Sequence, residues 1–325
     1  MKVVLPRRRF AATVLGVQAA AVQGLFLLLA FGPSWPMLMM LSHGSHFLPL
    51  LGIGILCILA CLHGWRRHWM WLAVSALVWL ISCGWLMMHR APSWPAPAVA
   101  SAPGAIRIVT FNAWFANHDP EGAAQWILAQ QPDAVILLEV GWRSRALLTR
   151  LALDMPHVIT CRGSRPCSTV VMSRWAPLEM RGLAHGDADN RRALSAAIMR
   201  FPRYTLVGIH LSQPWPMASH KRELGWLAKE LEIVPRTRLV VAGDFNATGW
   251  SMTMRDAPSR LGLKILPARR ASWPAPSSGL PFPTLFDIDH ALLGEGWTAA
   301  RMERGPDLGS DHYPFLITLK PSSIP

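Results

Sequence analysis

Residues 1–100 contain neither aspartate nor glutamate, and this absence limits what the chain can fold into more than any other feature of the sequence. Within this stretch no charged residue occurs between Phe10 and Trp65, and a second uncharged run extends from Trp69 to Met88. A helix that crosses a bilayer needs about 20 mostly apolar residues. We therefore expect three transmembrane helices. They lie at about residues 10–31, 47–65 and 69–88.

The basic residues of this stretch predict its orientation. Lys2 and Arg7–Arg9 precede the first predicted span, and Arg66 and Arg67 separate the second from the third. Because Lys and Arg are enriched on the cytoplasmic side of spans, the amino terminus should be cytoplasmic and everything after Met88 should lie outside. In a bacterial cell this describes a multi-pass inner-membrane protein with a periplasmic domain. A cleaved signal peptide is the alternative for the first run. The apolar segment of a signal peptide usually has only about 7–15 residues, and the run at 10–31 is longer.

The predicted transmembrane region, residues 1–90, is followed by a linker and one soluble domain. Residues 91–104 contain four prolines among small residues, which is typical of a semi-extended linker. The domain covers residues 105–325, enough for one sizeable core. The whole chain has a net charge of +13, but residues 101–325 carry 25 basic and 19 acidic residues, a net charge of only +6.

In the soluble domain, short apolar strands alternate with helices, which indicates an α/β fold with helix-covered sheets. Polar residues that suit catalysis follow, precede or lie within these strands. They are Asn112, Glu139, His210, Asp244, Asn246, Asp289, Asp311 and His312. Strands that lie side by side would bring such residues onto one rim. Carboxylates without a matching lysine need a cation, and oxygen ligands suit Mg²⁺ or Mn²⁺.

Six motifs make a more specific comparison possible. They are T-F-N-A at 110–113, L-L-E-V at 137–140, G-I-H-L at 208–211, A-G-D-F-N-A at 242–247, I-D-H-A at 288–291 and G-S-D-H-Y-P at 309–314. With these motifs in this order, the domain resembles the endonuclease/exonuclease/phosphatase superfamily, which has the deoxyribonuclease-I-like fold. The resemblance implies a four-layer sandwich of two mixed β-sheets flanked by helices, and hydrolysis of phosphate esters with a divalent metal ion.

The resemblance also implies the metal ligands. Glu139 would bind the ion, with Asn112 beside it, either directly or through water. Asp311 would supply a second carboxylate on the metal side. A metal ion at this position polarises a phosphoryl oxygen and stabilises the charge that develops on it.

Five further residues would act on the substrate. By resemblance, Asp244 positions or deprotonates water or protonates the leaving oxygen, while Asn246 donates a hydrogen bond to a phosphoryl oxygen. Because residues two apart in an extended segment point the same way, both side chains could face one phosphate. His312 would contact the phosphate, with Asp289 orienting its imidazole. His210 would also contact phosphate.

Four other residues are weaker candidates. Arg192 and Trp215 could contact an anionic substrate, but a solvated charge and ordinary loop packing are the alternatives. Cys161 and Cys167 would form a disulfide if the domain lies in an oxidising compartment. Two free thiols are the alternative there.

Three functions are compatible with these observations. The favoured one is a membrane-anchored phosphodiesterase that acts on a lipid or glycolipid head group or another envelope phosphate ester. A nuclease is the runner-up, because a net charge of +6 and a 267–283 loop with only Arg269 and Arg270 offer little to hold DNA. The third is a non-catalytic domain that binds an anionic ligand, against which the complete set of strand-end residues argues.

Overall fold

The computed structural model describes residues 104–161, 168–183, 195–214, 219–268 and 270–322, together with scattered positions between 17 and 80. The chain divides into two compact units, one formed by residues 1–90 with 250–252 and the other by the remaining residues. In the first unit, residues 20–28 are helical. Among the positions described, no helix has both the length and the apolar character to cross a membrane.

The predicted spans at 10–31, 47–65 and 69–88 fall largely outside the described residues, as does nearly all of the 91–104 linker. The membrane anchor, its orientation and the domain boundaries therefore stay predictions.

One sheet of the second unit has six strands in the order β11-β12-β1-β2-β4-β3. Its strands are β1 (Ile106–Asn112), β2 (Ala134–Leu138), β3 (His157–Thr160), β4 (Val170–Ser173), β11 (Trp297–Arg304) and β12 (Phe315–Pro321). Strands β1 and β2 are parallel and the other neighbours are antiparallel, so the sheet is mixed.

The other sheet also has six strands, in the order β5-β6-β7-β8-β10-β9. Its strands are β5 (Glu179–Leu183), β6 (Ser195–Arg200), β7 (Thr205–His210), β8 (Leu239–Asp244), β9 (Lys264–Leu266) and β10 (Asp289–Leu293). Here β7 and β8 form the parallel pair, while their neighbours run antiparallel. Each sheet thus has one parallel pair at its centre.

Among the described residues of this unit, four α-helices cover the sheets. They are α1 (Pro120–Ala129), α2 (Arg145–Ala152), α3 (Ser219–Glu230) and α4 (Met252–Leu261). Helix α1 begins after Asp119, whose carboxylate accepts a hydrogen bond from the backbone N–H of Gly122 and has Pro120 beside it at the first helical position. Both features favour a helix start because they satisfy or remove backbone N–H groups that have no partner within the helix.

The core forms three apolar clusters because side chains alternate between the two faces of each strand. Ile108 and Ile136 of the first sheet pack between the sheets against Leu206 and Val240 of the second. Their neighbours along the strands point outward instead. Val109 and Phe111 pack with helices α1 and α2, and Val207 and Val241 pack with α3 and α4. The layers are helix, sheet, sheet, helix, which confirms the predicted sandwich of two mixed sheets flanked by helices.

The two sheets pack closely at Gly208 in β7. A Cβ atom at this position would lie 2.7 Å from Cγ2 of Val171 and 2.9 Å from Cγ2 of Ile136, both in the opposite sheet. These distances are shorter than van der Waals contact. Glycine at position 208 therefore allows the sheets to pack directly behind His210, two residues further along the same strand.

Candidate metal and catalytic site

Strand register brings three site residues together at one edge of the second sheet. Asp244, the last residue of β8, pairs with His210 at the end of β7 and with Asp289 at the start of β10. The preceding residue, Gly243, has φ = 147°, and a Cβ atom there would lie 1.9 Å from the carbonyl oxygen of Ile209. Only glycine permits this close pairing next to Asp244.

The first sheet contributes the opposite half of the site. Asn112 ends β1 in register with Leu138, and Glu139 follows directly. Glu139 has φ = 51°, in the left-handed region that costs energy for a residue other than glycine. Such strain persists only where the surrounding structure enforces it, and it is concentrated at functional sites.

Asn112 joins the two halves. Its buried amide nitrogen Nδ2 donates to Oε1 of Glu139 and to Oδ2 of Asp244, each at 3.1 Å. Its oxygen Oδ1 accepts a hydrogen bond of 3.0 Å from the backbone N–H of Trp114. Asn112 was predicted to ligate the metal beside Glu139. It does lie beside Glu139, but in this arrangement its nitrogen faces the carboxylates, so direct ligation through Oδ1 would require the amide to rotate.

His312 and Asp289 form a buried pair. The imidazole Nδ1 donates to Oδ2 of Asp289 at 2.8 Å, and Nε2 lies 3.7 Å from Oδ2 of Asp244. Ser310 holds the segment in place, because its hydroxyl donates to the carbonyl of Asn112 at 2.7 Å and accepts from the backbone N–H of His312 at 3.1 Å. Asp289 thus contacts the imidazole that it was predicted to orient, and the orienting role itself stays a prediction.

Burial and neighbouring charges set the protonation of this pair. Burial alone would lower the pKa of His312, but the carboxylates of Asp289 and Asp244 outweigh it and raise that pKa to about 10. Burial, with repulsion from Asp289, raises the pKa of Asp244 to about 6. These shifts favour an imidazolium at His312 at neutral pH, beside an Asp244 carboxyl group whose pKa lies close to neutral pH.

The backbone at Asn246 departs from the predicted extended segment. The segment is not extended there, because Asn246 has φ = 46° and its N–H donates to Oδ1 of Asp244 at 2.7 Å, which forms a local turn. Its Nδ2 donates to the carbonyl of Leu211 at 2.9 Å and contacts Nε2 of His210 at 3.3 Å. The prediction of an extended segment was therefore wrong, but Nδ2 of Asn246 and Oδ2 of Asp244 both lie next to Nε2 of His210, at 3.3 and 3.8 Å.

His210 lies between the two sheets at this edge. Its Nε2 is 3.7 Å from Oε1 of Glu139 and 3.8 Å from Oδ2 of Asp244. These three side chains form one of two groups among the described residues whose ligand atoms lie within 4.8 Å of one another. The other group is Asp244, Asp289 and His312, whose geometry the imidazole–carboxylate hydrogen bond already explains.

Asp311 completes the acidic side of the site. Its Oδ2 accepts from Nε1 of Trp273 at 3.2 Å, while its buried Oδ1 has no hydrogen-bond partner among the described residues. Burial raises the pKa of Asp311, and repulsion from Glu139 adds to the rise. A buried carboxylate oxygen without a donor, repelled by a second carboxylate, fits a divalent cation. Glu139 and Asp311 offer oxygen ligands of the kind that a hard metal ion prefers, and Asp311 lies outside both groups of described ligand atoms that are within 4.8 Å of one another.

Some of the predicted positions cannot be compared with the structure. Arg192, Trp215 and Cys167 lie outside the described residues. Cys161 is disulfide-bonded, but the predicted pairing with Cys167 stays a prediction. Conversely, the sequence-based set missed Ser310 and Trp273, which hold His312 and Asp311. Ser310 lies inside the G-S-D-H motif, whereas Trp273 has no such signal.

The model of the Endonuclease/Exonuclease/phosphatase family matches residues 109–312, a range that includes every residue of this site. The chain belongs to this family. Its enzymatic class is therefore hydrolysis of phosphate ester bonds, as predicted. No curated protein matches the chain.

Solved structures share the fold at low sequence identity. Sphingomyelinase C from Streptomyces griseocarneus is similar with a TM-score of 0.51 and 18% identity, over 66% of this chain and 99% of that one. Beta toxin from Staphylococcus aureus with bound magnesium ions gives 0.54 and 13%, over 66% and 99%. TDP2 from D. rerio, complexed with a single-stranded DNA product, gives 0.54 and 16%, over 67% and 99%.

Proposed function

We propose that this chain is a membrane-anchored, divalent-metal-dependent phosphodiesterase that cleaves a phosphate ester at a bilayer surface, such as a lipid or glycolipid head group. The observation that carries the proposal is the joint edge of the two sheets. There an acidic half, Glu139 and Asp311, faces a half with a protonated imidazole, His312 with Asp289. A phosphodiester needs both halves, because its negative oxygens must be neutralised while water attacks.

The acidic half would hold Mg²⁺ or Mn²⁺ through Glu139, with Asp311 and Asn112 next to it. Beta toxin from S. aureus, which shares this fold, contains bound magnesium ions. When bound, such an ion acts as a Lewis acid that polarises a phosphoryl oxygen. The unpaired oxygen Oδ1 of Asp311 supports the assignment of the metal to this side.

The remaining residues would handle the proton and the phosphate. With Nδ1 bonded to Asp289, His312 presents a charged N–H on Nε2 to a phosphoryl oxygen bound beside Asp244. Asp244 has a pKa of about 6, which suits a group that accepts a proton from attacking water near neutral pH. His210 and Asn246 line the same edge and would contact the other phosphoryl oxygens.

An exposed aromatic rim next to the site supports a bilayer substrate. Phe115 and Trp142 are 59% and 70% exposed, and each comes three residues after a site residue. Arg143 joins their loops, because Nη1 donates to the carbonyl of Ala116 at 3.2 Å while the guanidinium lies 4.9 Å from the centre of the Trp142 ring. Exposed aromatic rings with a nearby cation are typical of surfaces that bind membrane interfaces. We call Phe115, Trp142 and Arg143 the interface rim.

The anchor and its orientation are proposed from the sequence. The apolar runs before Met88, with Arg7–Arg9 and Arg66–Arg67 on one side, would place the catalytic domain outside the cytoplasm, which is the periplasm in a bacterium. Alkaline phosphatase fused after Ser101 should be active, and a cytosolic reporter fused there should be inactive. The reverse result would move the domain to the cytoplasm.

Substrate class is tested with the full chain in detergent or nanodiscs. We expect hydrolysis of a soluble chromogenic phosphodiester and of sphingomyelin or phosphatidylinositol vesicles with Mg²⁺ or Mn²⁺, and none with EDTA. Glu139→Ala and His312→Ala should both abolish it. Phe115→Ser with Trp142→Ser should reduce vesicle hydrolysis about tenfold and leave the soluble substrate unaffected, since each interfacial aromatic contributes through burial in the membrane interface.

Two outcomes would overturn this substrate class. Plasmid DNA cleaved faster than every lipid would favour the nuclease alternative, in which the same rings stack on bases. No hydrolysis of any substrate with either ion, alongside retained binding of a phosphodiester, would favour the non-catalytic alternative.

A further inference from the structure

Two side chains of helix α3 make hydrogen bonds to the backbone of Ser212, which lies two residues after His210. Oε2 of Glu223 accepts from the Ser212 N–H at 3.0 Å, and Nε2 of His220 contacts the Ser212 carbonyl oxygen at 2.5 Å. Residues three apart on a helix lie on the same face. His220 and Glu223 can therefore hold the backbone N–H and the backbone carbonyl of Ser212 at once. We call these two residues the Ser212 clamp.

Both side chains of the Ser212 clamp are buried. Glu223 is 1% exposed and His220 is 4% exposed. Because the His220 Nε2 faces a carbonyl, it carries the hydrogen and donates, which leaves Nδ1 to accept from the hydroxyl of Thr253 at 3.2 Å. Burial lowers the pKa of His220 and raises that of Glu223, so burial favours the neutral form of both groups. Hydrogen-bond geometry, more than charge, is what this pair supplies.

One residue links the Ser212 clamp to the catalytic edge. The N–H of Leu211 donates to the carbonyl oxygen of Asp244 at 2.9 Å, and its carbonyl accepts from Nδ2 of Asn246 at 2.9 Å. The peptide unit before Leu211 is thus hydrogen-bonded to the end of β8 through the Leu211 N–H. The peptide unit after Leu211 is hydrogen-bonded to α3 through the Ser212 N–H. His210 directly precedes Leu211 in this segment, and its Nε2 contacts Nδ2 of Asn246.

We propose that Glu223 is a positioning residue, which fixes His210 and Asn246 relative to Asp244 by holding the N–H of Ser212. The inference rests on the proposed phosphodiesterase function. Without the Glu223 carboxyl group the part-buried hydrogen bond of the Ser212 N–H is lost, and the chain after β7 relaxes away from the site. A displacement of about 1 Å in a catalytic group can cost on the order of 100-fold in rate.

Kinetics of the full chain on a soluble phosphodiester test the proposal. Glu223→Met keeps the volume of the side chain but removes the acceptor, and kcat should fall roughly 10- to 100-fold while KM stays within about twofold. Glu223→Gln retains an acceptor and should keep kcat within about threefold of the wild-type value. His220→Phe, which removes the bond to the Ser212 carbonyl, should reduce kcat in the same direction and serves if Glu223→Met does not fold.

The matched control is Ser173→Ala. Ser173 is also buried and hydrogen-bonded, to the carbonyl oxygens of Asp133 and Trp175, but it pairs with the start of β2 rather than with its catalytic end. This variant should lower Tm and leave kcat unchanged. If Glu223→Met lowers Tm as Ser173→Ala does, with the kcat of its folded fraction equal to wild type, the proposal is wrong.

A readout besides activity separates this proposal from the proposed function. The NMR signal of the His210 Cε1–Hε1 group should shift in Glu223→Met and not in Glu223→Gln or Ser173→Ala. An inactive wild-type protein would reject the phosphodiesterase function, yet the His210 signal would still report the positioning. An unchanged signal in Glu223→Met overturns the positioning role whatever the activity.

Discussion

Replacing Asp289 by Asn tests whether one carboxylate keeps His312 charged. The bond between Nδ1 of His312 and Oδ2 of Asp289 is 2.8 Å long and buried, and His312 has a pKa of about 10. A hydrogen bond to a charged group contributes about 1.5–3 kcal/mol. Since 1.36 kcal/mol corresponds to one pKa unit, Asp289→Asn should lower the pKa of His312 by about one to two units.

The same change predicts how stability depends on pH. The pKa of His312 is raised from 6.5 to about 10 on folding. Its contribution to stability is therefore fully present below pH 6.5 and is lost as the pH rises through 10. Asp289→Asn should be less stable than wild type by about 1.5–3 kcal/mol at pH 7, and this difference should disappear above pH 10.

Nitrogen-15 NMR of the imidazole between pH 6 and 11, with urea unfolding at pH 7 and pH 10, measures both effects. Asp287→Asn is the control, because Asp287 is two residues away on the same segment but accepts from the backbone N–H of Gly249 at 3.1 Å instead. It should leave the pKa of His312 unchanged. If Asp289→Asn also leaves that pKa within about half a unit of the wild-type value, Asp289 does not keep His312 charged.

Three further predictions concern metal binding and packing. Saturation with Mg²⁺ at 100 times its Kd should stabilise the wild-type domain by about 2.7 kcal/mol, which a thermal melt detects as a rise in Tm. Glu139→Gln should abolish this rise, whereas Glu121→Gln on helix α1 should retain it. Gly208→Val should destabilise the domain by about 1–3 kcal/mol in urea unfolding, because the new side chain would overlap the opposite sheet. Gly225→Ala should instead stabilise it by about 0.5–1 kcal/mol, since a Cβ atom there meets only Arg260 at 3.9 Å; a lower Tm would contradict this.

Local sequence patterns predicted helix-covered sheets with polar residues at the strand ends, and the family resemblance implied the four-layer sandwich. Asn112, Glu139, His210 and Asp244 each end or follow a buried apolar strand. In each sheet the central parallel strands present their carboxyl ends at the same edge, so a polar residue at that point is brought to the site without any knowledge of distant contacts. The local pattern failed at Asn246, because a turn closed by Asp244 replaces the extended backbone that the prediction assumed.

Contacts between segments far apart in the sequence could not be predicted this way. Asn112 donates to Asp244 across 132 residues, and the Ser212 clamp depends on how α3 packs on β7. Both depend on two sheets and a helix meeting at one place, which no local pattern encodes. The exposure of Phe115 and Trp142 could not be predicted locally either, because aromatic side chains equally suit a core.

The sequence by itself determined which chemistry the chain carries: an acid-free, apolar first hundred residues, and acids, amides and imidazoles at the ends of buried strands. Periodicity and chain connectivity are local properties, and they are sufficient for that. Only the tertiary structure decided which atoms face one another. These contacts determine the charge on His312, the unpaired oxygen of Asp311 and the hydrogen bond from Ser212 to α3. Protonation and hydrogen bonding depend on burial and on distances of a few ångströms, and these arise only when the two sheets pack together.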